Sequence, residues 1–198
     1  MDTFKYLGCT ITPDGRSIHE IKKRIGISKA TFNNMKCIFT NKSIHIATKI
    51  RTLKAYIWSI LLYGCECWTM TKDVQRRLEA AEIWYIRRIM KVSWTKKKTN
   101  DEVMIMAGYS RSLLNTIHER QLKFFGHIMR SDGLERCLML GKIPGKKSRG
   151  RQRTKYTDNL NRITADHNIG TTIDLIRKSE CREDWRTMVA DVCNRPGT

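Results

Sequence analysis

Between Ser17 and Val92 apolar residues return every three or four positions, and they do so in three successive stretches, the spacing that places side chains on one face of a helix. In the first stretch the set is Ile18, Ile21, Ile25, Phe32, Met35 and Phe39. Ser17 and Glu20 stand at capping-box spacing, in which the serine accepts from an unpaired helix N–H and the glutamate reaches back to the cap, so this helix is expected to open at Ser17. The second stretch, from about Ser43 to Tyr63, carries Ala47, Ile50, Leu53, Ile57 and Ile60, and Gly64 is placed to end it in a left-handed turn. The third opens near Thr71, has Asp73 in its first turn, and turns Val74, Leu78, Ala81, Tyr85, Ile89 and Val92 inward. A mainly α fold is expected, with a helical, thumb-like bundle at its centre.

The charge of these helices has one sign. No Asp or Glu occurs from Ile21 to Cys65, whereas Lys22, Lys23, Arg24, Lys29, Lys36, Lys42, Lys49, Arg51 and Lys54 do. Soluble helices normally mix signs to limit self-repulsion. Over the whole chain 38 Lys and Arg face 19 Asp and Glu, leaving +19, more than solubility requires. The partners that such a surface attracts are nucleic acid, an acidic membrane or an acidic protein. The apolar run Ile57–Tyr63 is too short for a bilayer, which needs roughly 20 residues, so no membrane partner is expected. The first residues lack the apolar run of a secretion signal, and a nuclear or cytoplasmic location is expected. The seven cysteines are odd in number and scattered, which suits reduced thiols acting as small buried apolar residues.

Ahead of the helices, Met1 to Ile11 reads as one strand with alternating parity, followed by a Thr12-Pro13-Asp14-Gly15 turn. A lone strand cannot pair its own backbone, and no partner for it is visible in the sequence. Beyond the third helix, Lys91 to Asn100 reads as an exposed basic loop. Thr99 and Glu102 then repeat the capping-box spacing and open a short helix that stops at Gly108. A longer helix is expected from Ser112 to Arg130, with Leu114, Ile117, Gln121, Phe124 and Ile128 inward and Leu113 and Phe125 beside them. Residues 141–155 hold seven basic residues, three glycines and no acid, the composition of a linker rather than a core. Short helices are expected at 154–165, 173–178 and 182–192, the last with an apolar face of Trp185, Met188, Val189 and Val192. The expected division is therefore 1–16, a strand and turn; 17–98, the three-helix bundle; 99–141, a helical connector; 142–155, a basic flexible linker; and 156–198, a smaller helical C-terminal region.

Catalytic and cofactor motifs are not evident. The sequence has no P-loop, no dinucleotide fingerprint and no supported Ser/His/Asp arrangement. Cys65-x-Cys67 is tighter than the usual zinc spacing, and His118, His127 and Cys137 lack a convincing fourth ligand. No catalytic residue, metal or cofactor is assigned. The candidate phosphate contacts are Lys22, Lys23, Arg24 and Lys29, then Arg87, Arg88, Lys91, Lys96, Lys97 and Lys98, and in the linker Lys146, Lys147, Arg149, Arg151 and Arg153. The linker cluster fits a nuclear-localisation signal equally well. Trp58, Trp84 and Trp185 fall at or near apolar faces and are expected in the core. Trp68 and Trp94 sit in connections, where packing is the default and base stacking the alternative.

Five segments in order along the chain carry a resemblance. FKYLG (Phe4–Gly8), followed by a turn and a basic helix, resembles the end of the palm of reverse transcriptases from non-LTR (LINE-type) retrotransposons. YGCECW (Tyr63–Trp68) resembles that family's Tyr-Gly, acid and Trp pattern, and RQLKFFGHIMR (Arg120–Arg130) its Gly-His-hydrophobic-x-Arg segment. GRQRTKYTDNL (Gly150–Leu160) is similar to its GRP-x-x-R-W-x-D segment, with Gln152 and Tyr156 in place of Pro and Trp. REDWRTMVA (Arg182–Ala190) is similar to its D-R-x-x-W-R ending, with Glu183 departing. The resemblance implies the thumb and C-terminal part of an endonuclease–reverse transcriptase, an RNA-directed DNA polymerase whose helical thumb grips a template–primer duplex. It also implies that polymerisation needs paired aspartates holding two Mg²⁺ ions. No Asp-Asp pair occurs in this chain, so the expectation is a non-catalytic remnant that binds RNA or DNA without sequence preference. The other expectation is a host-adopted helical adaptor for an acidic protein.

Overall fold

The structure, a computed structural model, describes residues 4–13, 15–141, 150, 152, 154–167 and 169–194. It is mainly α-helical with a single two-stranded sheet among the described residues. The chain divides into two compact units. One comprises residues up to 64 together with 72–114, the other residues 65–71 together with 115 onward.

The first unit begins with strands β1 (Phe4–Tyr6) and β2 (Cys9–Ile11), antiparallel with Phe4 opposite Ile11 and Tyr6 opposite Cys9. The expected single strand is thus a hairpin, and the missing partner is the strand's own second half. Leu7 and Gly8 both have positive φ, 45° and 79°, as a two-residue type I′ turn requires. Leucine is a poor signal for that turn, so the alternation reads straight through it.

Helix α1 (Ile18–Asn34) starts where expected, but Ser17 makes no side-chain cap. Glu20 accepts instead from the Thr10 N–H at 2.7 Å and from Arg24 Nε at 2.6 Å, so the residue expected to close a capping box holds the hairpin against α1. The helix breaks at Met35, after the weak helix formers Asn33 and Asn34, and resumes as α2 (Lys36–Thr40). The second apolar stretch forms α3 (Ile46–Thr52), a π-helical turn (Leu53–Ile57) and α4 (Trp58–Leu61). The wider π turn shifts the phase of α4 relative to α3. The buried face therefore passes from Leu53 and Ile57 to Trp58, Leu61 and Leu62, and Ile60 is only half-buried. Gly64 has φ +72°, and a Cβ there would press on Cys9 Sγ at 3.2 Å, so glycine serves both conformation and packing.

After a 3₁₀ turn (Cys65–Cys67), helix α5 (Lys72–Ile89) buries Val74, Leu78, Ala81, Tyr85 and Ile89 as the periodicity requires. Phe32 stacks on Phe39 at 4.3 Å and meets Tyr85 at 5.2 Å, and the Tyr85 hydroxyl shares a 2.7 Å hydrogen bond with Ser28. A second 3₁₀ turn (Trp94–Lys96) leads to α6 (Asn100–Ala107), whose Thr99/Glu102 capping box is formed and whose end is Gly108 at φ +56°. Helix α7 (Leu113–Met129) opens on buried Glu82, whose Oε1 accepts from the Tyr109 hydroxyl and from the N–H groups of Ser112 and Leu113 at 2.7, 3.1 and 3.0 Å.

The second unit holds the rest of α7 with α8 (Leu134–Met139), α9 (Tyr156–Thr164), a 3₁₀ turn (Ala165–His167), α10 (Thr172–Glu180) and α11 (Arg182–Asn194). Its core gathers Leu122, Phe125, Ile128, Met129, Leu160, Leu175, Trp185, Met188 and Val189. Gln121 is fully enclosed and pairs throughout. Its amide donates to the carbonyls of Cys65 and Trp68 at 3.0 and 2.8 Å, its Oε1 accepts from Asn159, and its backbone carbonyl accepts from the Tyr156 hydroxyl. The Trp185 indole crosses α7 at Gly126 and donates to the Leu122 carbonyl at 3.1 Å. Arg130 donates to the Ser179 carbonyl at 2.9 Å. Four of the five segments that carried the resemblance thus contribute to this unit: Cys65–Trp68, the Arg120–Arg130 stretch of α7, the start of α9 and the start of α11.

The cysteines depart from expectation. Cys65 is buried, but Cys37, Cys67, Cys137 and Cys181 are exposed, because they fall on the outer positions of short helices and turns whose inner faces are already filled. Trp68 is buried, in the default role expected for it.

Replacing a helical glycine with alanine ordinarily stabilises by about 1 kcal/mol. Gly126→Ala is expected to do the reverse, since the new Cβ would overlap Nε1 and Cδ1 of Trp185. A loss of about 1–3 kcal/mol, the range for overpacking, should appear in urea unfolding followed by tryptophan fluorescence.

Candidate nucleic-acid interface

The cations proposed from the sequence are sorted by what each side chain already touches. Arg24 is drawn inward: besides Glu20 it donates to the Gly8 carbonyl at 2.7 Å and lies 4.3 Å over the Tyr63 ring, whose hydroxyl donates to the Leu7 carbonyl. Lys23 donates to Thr10 Oγ1 at 2.9 Å and lies 4.0 Å from Glu20. These two serve chiefly to dock the hairpin on α1. Burial would raise the Glu20 carboxyl, but the Arg24 hydrogen bond, the Thr10 N–H and the charges of Arg24 and Lys23 hold it below its ordinary value.

Arg87 is a correction. Its place beside Arg88 in the sequence matched a phosphate contact, yet it is 5% exposed. Its guanidinium donates to the Lys98 carbonyl at 2.6 Å and twice to Asn100 Oδ1, at 3.0 and 3.3 Å. It fastens the Lys97–Asn100 connection to α5. The reason is helical phase: position 87 falls on the buried face with Ile83 and Ile86, and position 88 does not.

Lys22 and Arg88 are exposed and Lys29 half-buried, and the three gather near Trp84, Arg88 also donating to Asn33 Oδ1 at 3.4 Å. The indole is half-buried, with its edge against Phe32 and Tyr85 at centroid distances of 5.5 and 5.1 Å. Lys29 Nζ lies 4.9 Å and the Arg88 guanidinium 4.1 Å from the ring centroid, cation–π distances that hold both long side chains in place. Beside them, α1, α5 and Asn100 at the start of α6 line a groove of about 440 Å³ whose cationic members are Lys22, Lys29 and Arg77, the last already paired with Asp73 at 3.0 Å. Arg77, Trp84 and Asn100 were not singled out as binding residues. Trp84 and Arg77 are one helical repeat of seven apart, a spacing that marks a shared face only once the groove is known. Lys91, Lys96 and Lys97 are exposed after α5, while Lys98 is half-buried with Nζ 3.1 Å from Met106 Sδ. Lys146, Lys147, Arg149, Arg151 and Arg153 lie outside the described residues.

Elsewhere, titratable groups are shaped by burial. Burial pushes the Cys65 thiol up to about 12, with the Glu66 carboxylate adding to it, and the Tyr85 hydroxyl also up to about 12. Burial, helped by the charge of Arg162, pushes the His118 imidazole down to about 4. His118 is therefore neutral at pH 7, and its Nε2 is buried without a protein partner. His127 and Cys137, the other two side chains weighed as ligands, are exposed. Among the described residues no three His, Cys, Asp or Glu side chains converge, and no helix is long and apolar enough to cross a membrane.

The class defined by these observations is a mainly α, strongly basic protein with a partly cation-lined groove on its first helices. Comparison with known proteins adds a relationship. The chain is similar to a transposon-derived protein of Caenorhabditis elegans, with 28% identity over 203 aligned residues that span 96% of this chain and 70% of that protein. That similarity fits a transposon-related origin. No family model matches the chain, and no solved structure does.

A carboxyl held below its ordinary 4.5 contributes stability that is full above that pH and is lost as pH falls through the folded value. Glu20→Gln should cost about 1–3 kcal/mol at pH 7, because half-buried Arg24 would lose its counter-charge. The difference between wild type and variant should shrink as pH drops below 4.5, measured by urea midpoints at a series of pH values.

Proposed function

We propose that this chain is a nucleic-acid-binding remnant of a non-LTR retrotransposon reverse transcriptase. It holds RNA or DNA through the phosphate backbone, without sequence preference and without polymerising. The observation that carries this reading is the gathering of Lys22, Lys29 and Arg88 around Trp84 beside a groove that also takes in Arg77, with Lys22 and Lys29 in a run that has no acid from Ile21 to Cys65. The net charge of +19, the ordered resemblances along the chain and the similarity to a transposon-derived protein support it. Lys91, Lys96 and Lys97 extend the cationic surface, and the linker cations Lys146, Lys147, Arg149, Arg151 and Arg153 are proposed to hold single-stranded RNA. Arg24 and Arg87 support the surface from within. The proposed absence of polymerisation rests on chemistry: two-metal phosphoryl transfer needs closely placed carboxylates, and the sequence has no adjacent aspartate pair.

Each phosphate neutralised on duplex DNA contributes about −0.9 to the slope of log affinity against log salt. With Lys22, Lys29, Arg88, Lys91, Lys96 and Lys97 engaged, the slope for a random 20-mer duplex should be about −5. The double variant Lys22→Glu, Lys29→Glu should reduce it to about −3.5 and weaken binding at least about tenfold at 0.1 M salt, measured by fluorescence anisotropy. Absence of binding at low salt would sink the proposal. Tight binding of an acidic protein that persists in high salt would favour the adaptor reading instead.

A further inference from the structure

The groove holds more than a phosphate needs. Backbone neutralisation requires only cations on a convex surface, and Lys91, Lys96 and Lys97 already provide that. The groove beside Trp84 has about 440 Å³ of room, within the range of small-ligand sites, and its lining includes the apolar side chains of Ile25 and Ala80 and the indole. A lining that combines cations with apolar and aromatic side chains matches a nucleotide, which is charged at its phosphate and flat and weakly polar at its base. Resting on the function proposed above, we propose that this groove receives one unpaired nucleotide of the bound strand, phosphate toward Lys22, Lys29 and Arg77 and base toward Ala80 and Trp84, with Lys29 leaving its place over the indole for the phosphate.

Asn100 supplies the polar contact. Arg87 occupies its Oδ1 with two hydrogen bonds, which fixes the amide's rotation and leaves Nδ2 to donate at the groove. A single donor meets a ring nitrogen or carbonyl on any of the four bases, so the site tolerates sequence. Arg87 is thus a positioning residue: its charge is buried and its effect passes through Asn100. A base inside a duplex is stacked and paired and does not enter, whereas an unpaired one enters at little cost.

The test uses the full chain and three oligonucleotides: a blunt duplex, the same duplex with one unpaired thymidine, and one of charge equal to the second with an abasic residue at that point. Anisotropy titrations should show the unpaired thymidine bound about tenfold more tightly than either of the others, the scale of one base–aromatic stack. Ala80 is exposed on α5, so Ala80→Trp fills the groove without entering the core and should abolish the preference. Arg87→Gln should lower the preference without changing the salt slope. Equal affinity for thymidine and abasic duplexes would overturn the inference while leaving the backbone-binding function intact. So would a preference that survives Ala80→Trp. Displacement of a fluorescent nucleotide by free uridine monophosphate at micromolar concentration, with no base dependence in the strand, would assign the groove to a free nucleotide and overturn it likewise. Failure to bind any oligonucleotide would remove both proposals together.

Discussion

Like-charge repulsion is the constraint on the first unit. A run from Ile21 to Cys65 with nine cations and no acid has to stay folded without the local salt bridges that ordinary helices use. Glu20, a buried carboxylate just outside that run, meets part of the need, and a second buried carboxylate, Glu82, serves the start of α7. Glu20 gathers Arg24, Lys23 and the Thr10 N–H, so one negative charge offsets part of two positive ones and fixes the hairpin as well. Glu82 takes two N–H groups at the start of α7 and the Tyr109 hydroxyl, using the positive end of a helix in place of a basic side chain. Aromatic faces carry part of the remainder: Lys29 and Arg88 lie over Trp84, Lys54 near Trp58 and Tyr109, and Arg24 over Tyr63. These contacts hold cations in place without cancelling them, and the surface stays strongly positive.

The segments that pointed to a retroelement family do chiefly structural work. Cys65 and Trp68 offer carbonyls, Gln121 joins them to Asn159, Tyr156 reaches the Gln121 carbonyl, and Trp185 fills the space that Gly126 leaves open. A glycine under an indole and a buried amide with every atom paired are arrangements that few other residues reproduce, because each substitution either overlaps or strands a polar group. Recurrent motifs of this kind speak for shared architecture. The binding reading rests on other residues, in the first unit, which those motifs do not include.

Much of the helical layout was legible in advance. Gly64 and Gly108 end helices in left-handed turns, the Thr99/Glu102 box is formed, and the inward set on α5 is buried as its spacing required. Gln121 was recognisable as inward-facing, though nothing local revealed its partners. The candidate site was half legible: Lys22, Lys29 and Arg88 stand on the surface near the groove, whereas Arg87 turned inward and Arg77, Trp84 and Asn100 joined the groove unannounced. Cation identity is a property of one residue, but whether a cation meets water or a carbonyl depends on which chain segment passes beside it.

The amino-acid order by itself determined where most of the helices lie, which face α5 buries and that the Ile21–Cys65 stretch is positive, because these follow from steps of three and four residues and from side-chain type. Only the tertiary structure decided that the first strand folds back on itself, that Glu20 serves the hairpin instead of a helix cap, that a π turn rotates the face after Leu53, and that Arg87 orients Asn100. Those outcomes depend on contacts between residues that the chain brings together only by folding, or on local choices settled by packing, and no spacing rule along one helix encodes them.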